Sequence, residues 1–143
     1  MVSAGKKFSD KHGPGATPDP AIEEAVRERA RDASLPCAVA FEIAGELNAA
    51  PHEVGRAVDL MEYRLIKCQL GLFGYGEKRK IVSPLADPPD PLRKAIEAAQ
   101  WEGRLACRDA WEIADRLGVP KLRVGGACEG LEIKIKPCQL GAF

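Results

Sequence analysis

The sequence predicts a mainly α-helical fold with short β-hairpins, assembled as two tandem copies of one unit. Three observations predict it. Residues 37–73 lie over residues 107–143 at an offset of 70 without a gap, and 15 of these 37 positions are identical. Apolar residues in each copy recur at helical spacing and then change to an extended pattern. Pro, Gly, Asp and Asn punctuate both copies at matching places. Each copy, at roughly 55 to 60 residues, is near the lower limit for an independent core, so the two are expected to pack together or to find a partner.

Residues 1–17 are rich in Gly, Lys, Ser and Asp without apolar periodicity, and read as a flexible tail. The first unit then spans 18–85, a linker 86–90, and the second unit 91–143. Asp19-Pro20 supplies an N-cap followed by proline at the first helical position, and Ile22, Ala25, Val26, Arg29 and Ala33 mark one side of a helix of about 14 residues. Pro89-Asp90-Pro91 repeats this signal at an offset of 71, which implies a one-residue deletion, and Leu92, Ala95, Ile96 and Ala99 form the matching stripe. Ser34-Leu35-Pro36 breaks the first helix and Gly103 its counterpart. A second helix is expected over 37–47, with Cys37, Ala40, Phe41, Ala44 and Leu47 on one face. A third is expected over 51–62, carrying Val54, Ala57, Val58 and Met61. Residues 64–70 become extended, 71–76 turn, and Lys80-Ile81-Val82 reads as a returning strand. Gly71 and Gly141 are placed to turn Phe73 and Phe143 back over the core.

Composition narrows the function. The formal net charge is zero and the pI is about 6.7, against strong non-specific attraction to nucleic acid. Hydrophobic content of 45% with 29% charged residues describes a soluble protein, and no apolar run approaches a membrane span. Without a secretory signal pattern, the five cysteines read as reduced thiols in a cytoplasm. No nucleophile, base and orienting group recur together in the two copies, so no enzymatic activity and no cofactor are expected. Gly125-Gly126 follows no strand and lacks a Lys-Ser/Thr pair, which argues against a phosphate-cradling loop. Glu42 and Glu112 read as solvated helix faces.

The second and third helices carry a further pattern. Ile43-Ala44, Leu47, Asn48, Val54 and Ala57 answer to Ile113-Ala114, Leu117, Gly118, Val124 and Ala127: a small residue at a crossing, a left-handed turn, and aliphatics that lock two helices. On these residues the chain resembles the helix-turn-helix superfamily, and the following strand makes each copy resemble a winged helix. The resemblance covers nearly all of residues 18–143. It implies a DNA-binding transcriptional regulator, with the third helix of each copy in a major groove of double-stranded DNA. The implied contacts are His52, Arg56, Lys121 and Arg123 on the helices, with Lys78, Arg79 and Lys80 on the wing. The exposed face would also carry Pro51, Gly55 and Asp59, and in the second copy Leu122, Gly125, Gly126 and Glu129. Asp59 and Glu129 would face phosphates, which counts against the role.

Two rival readings remain open. One is a protein-interaction module, engaging a partner or a second copy, that keeps the scaffold and lacks the basic surface. An exposed apolar patch in place of a positive face would mark it. The other is a thiol-dependent metal or redox sensor, since Cys37 and Cys107 are repeat mates, as are Cys68 and Cys138. Buried packing explains these cysteines more simply, because the close ligand pairs of metal sites are missing. Cys128 has no mate, as Val58 takes its place.

Overall fold

The structure, a computed structural model, describes residues 7–76 and 80–142. Six α-helices dominate the described residues: α1 (Pro20–Arg29), α2 (Cys37–Glu46), α3 (Pro51–Leu60), α4 (Asp90–Ala99), α5 (Cys107–Leu117) and α6 (Lys121–Gly130). Four short strands accompany them: β1 (Ser34–Pro36), β2 (Arg64–Ile66), β3 (Arg104–Leu105) and β4 (Lys134–Ile135). The chain divides into two compact units. One holds the residues up to Ile66 together with Leu140–Ala142, and the other holds Lys67–Gln139.

The compact units do not follow the repeat boundaries read from the sequence. Each unit contains the three helices of one copy and a Leu-Gly string that belongs, in sequence, to the other copy. Leu70 is fully buried in the unit of the second copy's helices, and Leu140 is buried among those of the first. In the unit of α4–α6 the core gathers Leu92, Ile96, Ile113 and Val124 with Leu70 and Cys68, and Phe73 packs against it.

Each helix starts and stops for a local reason. Asp19 accepts hydrogen bonds from Ala21 N and Ile22 N, and Pro20 fills the first position of α1. In α4 the helix begins at Asp90 itself, with Pro89 as cap and the Asp90 side chain paired to Arg93 rather than to the backbone. The offset of 70 therefore holds through the first helix as well. Ile22 and Leu92 are buried mates, as are Val26 and Ile96, and the expected deletion does not exist.

After α1 the chain makes a tight turn in which Arg31 and Ser34 exchange backbone hydrogen bonds of 3.0 and 2.9 Å. Asp32 and Ala33 both take positive φ there, at 51° and 58°. The mate of this turn, Trp101–Arg104, does the same with Glu102 and Gly103. The first helix thus ends at Arg29, short of the expected length, and Ser34–Pro36 is a strand rather than a mere break.

The α2–α3 and α5–α6 corners follow the expected chemistry. Asn48 and Gly118 take φ of 54° and 66°. The amides that follow them, Ala49 N and Val119 N, reach back to Ala44 O and Ala114 O at 2.9 and 3.0 Å, which closes the helix end.

The strands differ from expectation. β1 pairs with β2 in parallel, Leu35 opposite Leu65, and β3 with β4 likewise, Leu105 opposite Ile135. A hairpin would need its strands to be adjacent in sequence. Here the α2–α3 and α5–α6 pairs lie between them and bring the strands together running the same way. Residues 80–82 form no strand.

Candidate interaction surface on the third helices

The face of α3 expected to enter a groove is covered by the chain itself. Gly55 is buried beneath the Leu140 carbonyl, so close that a Cβ at Gly55 would stand 1.7 Å from Leu140 O. Gly125, its repeat mate on α6, lies beneath the Leu70 carbonyl, with 2.2 Å for the same Cβ. These glycines are identical in the two copies because the Leu-Gly string needs backbone contact with the helix.

Beside the string, the segment preceding each first helix lies on the same face. In the first unit a 3₁₀ turn, Phe8–Lys11, donates Phe8 N and Ser9 N to the Glu62 carboxylate at 2.9 and 3.0 Å. The hydrogen bonds from Ser9 hold the Glu62 carboxyl below its ordinary value of 4.5. Lys11 Nζ lies 3.0 Å from Asp59 Oδ2 and also donates to Gly141 O at 3.0 Å. His12 Nε2 sits 3.0 Å from the same Asp59 oxygen. Arg56 donates to Thr17 O at 3.2 Å. Residues 8–17, expected to be a loose tail, are thus tied to α3.

In the second unit the arrangement recurs with different residues. Lys80 Nζ pairs with Glu129 at 3.1 Å, Ile81 N and Val82 N donate to Gly71 O, and Leu85 N donates to Gly126 O at 2.9 Å. Asp59 and Glu129, repeat mates that would have repelled phosphates, each carry a lysine of the covering segment. Asp59 is the one buried charged residue among the described residues, and a buried carboxylate persists only with such partners.

The residues proposed for groove contact therefore separate. Gly55, Asp59, Gly125 and Gly126 are buried, not exposed. Arg56 and Lys80 are engaged as described. Lys121 lies 4.7 Å from the centre of the Trp111 ring and 4.0 Å from Asp115 Oδ1. His52 and Arg123 are exposed on the first turns of α3 and α6. Lys78 and Arg79 lie outside the described residues.

Beside the exposed Arg123, the first turn of α6 also leaves an apolar side chain open. Leu122 is 41% exposed, and its Cδ1 overlies Gly71, where a Cβ would meet it at 2.3 Å. Ile81, 43% exposed, donates its amide to the Gly71 carbonyl at 2.9 Å. Leu122 and Ile81 thus flank Gly71 as an exposed apolar patch at the start of α6.

The cysteines are mostly buried. Burial raises the Cys68 and Cys107 thiols, and pushes Cys128 up to about 12 with help from the neighbouring Glu129 charge. Cys107 is approached on both sides of Cys138: its amide donates to Pro137 O at 3.0 Å, and Gln139 Nε2 reaches its sulfur at 3.5 Å. Cys37 belongs to the other unit. Among the described residues no three His, Cys, Asp or Glu side chains are gathered so as to hold a metal ion.

The sequence reading missed Lys11, His12 and Glu62. A signal existed: Glu62 and Glu132 are identical mates, and acid recurs at 59 and 129. These features define a duplicated, mainly helical protein in which the second and third helices of each copy meet at a left-handed turn. No protein-family model, curated protein or solved structure matches the chain.

Proposed function

We propose that this protein is an interaction module that uses a helix-turn-helix scaffold to present apolar surface to a protein partner, rather than to read DNA. The observation that carries the reading is the Leu122–Ile81 patch, which stands where a base-reading helix would need polar side chains. The covering of α3 and α6 by strings and lysine-bearing segments supports it, since groove entry would require both to leave.

The rival is the DNA-binding regulator with winged-helix units, favoured by the exposure of His52 and Arg123 on the first turns of the two third helices. Fluorescence anisotropy with duplex DNA at low and moderate salt separates the two. The interaction reading expects no saturable binding even at low salt, and no change in Lys121→Ala or Arg123→Ala. Salt-sensitive binding lost in those variants would establish the rival. A photo-crosslinker at position 122 in cells should yield one discrete adduct, abolished by Ile81→Glu. Absence of any adduct would count against the module.

A further inference from the structure

The second unit carries a cleft that neither reading uses. Trp101 is 69% exposed, the highest value among the exposed large apolar residues described. It is not on a loose loop. Trp101 N donates to Arg104 O at 2.8 Å, Arg104 N returns to Trp101 O at 3.0 Å, and Gly103 N donates to Gln100 Oε1 at 2.8 Å. From this turn Arg104 enters β3, and Lys136 N, just beyond β4, bonds Leu105 O at 2.8 Å. The turn, the end of β4 and the start of α5 border a half-open depression of about 380 Å³. Such a volume suits a small molecule. Ala99, Ala106 and Pro137 supply apolar walls, and Trp101, Arg104, Lys136 and Asp109 complete the lining.

Charge states what kind of molecule fits. No acid lies within ion-pair distance of Arg104 or Lys136 among the described residues. With Asp109 the only carboxylate of the lining, the two cations leave an excess of one positive charge. An indole, apolar walls and a net single positive charge together complement a flat ring bearing one negative charge. A polyanion would meet the Asp109 carboxylate in a lining whose net charge is only one positive.

We propose that this cleft binds an aromatic monoanion, its ring against Trp101 and its anionic group held by Arg104 and Lys136. The first copy has Arg31 and Ile66 at the positions of Trp101 and Lys136, so one site per chain is expected. This inference does not depend on the interaction module.

The test is a titration of the full-length protein by two-dimensional NMR, with benzoate, benzamide and AMP as probes. Benzoate should shift the Trp101 indole and the amides of residues 104–109 saturably, leaving the Trp111 indole in place. Benzamide and AMP should bind at least about tenfold more weakly, the first for lack of charge and the second for excess of it. Arg104→Gln and Lys136→Gln should each weaken benzoate by about tenfold while the rest of the spectrum stays in place, which shows the fold intact. Equal binding of benzamide, unaltered binding in both variants, or no shift at millimolar benzoate would each overturn the proposal. Tighter binding of AMP would overturn the monoanion assignment.

Discussion

Ala33 shows how a single residue can be placed against its own preference. It holds φ of 58°, a left-handed conformation that costs an alanine about 1 kcal/mol, whereas its mate at the same corner is Gly103. Ala33→Gly is therefore expected to raise thermal stability, by about 0.5 kcal/mol once the freedom of glycine in the unfolded chain is subtracted. A calorimetric melt measures it. The opposite holds at Gly55 and Gly125, where a methyl group meets a backbone carbonyl. Gly55→Ala and Gly125→Ala should each destabilise by about 1–3 kcal/mol in chemical denaturation.

Glu62 adds a pH dependence. Its folded value lies below the ordinary 4.5, so its contribution is complete above that pH and disappears as pH falls through the folded value. Measured against the intrinsic rate at each pH, the protection of the Phe8 and Ser9 amides should fall over that window, with no such fall in Glu62→Gln.

Among the elements, the covering segments and the thiols behave as parts of the helix faces they touch. Asp59→Ala removes the acceptor shared by Lys11 and His12, so limited proteolysis should cut within residues 8–17 faster than in the parent. Cys138 is the one described cysteine that is not buried. Iodoacetamide at pH 8 should label it first, while burial keeps Cys68, Cys107 and Cys128 protonated and slow.

Much at this scale was legible. Asp19-Pro20 and Pro51 announced helix starts, Asn48 and Gly118 announced the corners, and period changes announced β2 and β4. The strand direction was not legible, because Leu35 and Leu65 are two short apolar signals separated by two helices. Nothing local says which neighbour pairs with which. The covering of α3 was hidden for a related reason: Lys11, His12 and Lys80 look like ordinary solvated charges until their distant acids are known.

On the scale of the molecule, duplication is what the sequence stated most clearly, and exchange is what it concealed. Identity between the Cys-Gln-Leu-Gly strings cannot tell whether each packs on its own copy or on the other. The structure assigns Leu140 to the helices of the first copy and Leu70 to those of the second. Gly55 and Gly125 are then as necessary to the arrangement as the strings they receive. The apolar patch was half legible, since Leu122 was visible on the third helix but Ile81 was read as a strand residue.

Exchange has a direct test in Leu140→Ala, followed by hydrogen–deuterium exchange along the whole chain. Leu140 is 1% exposed, and removing such a side chain costs about 2–5 kcal/mol. If each unit is completed by the other copy's string, protection falls in α1–α3 and holds in α4–α6. Loss confined to α4–α6, the helices of Leu140's own copy, would contradict the exchanged architecture and with it the reason given for Gly55.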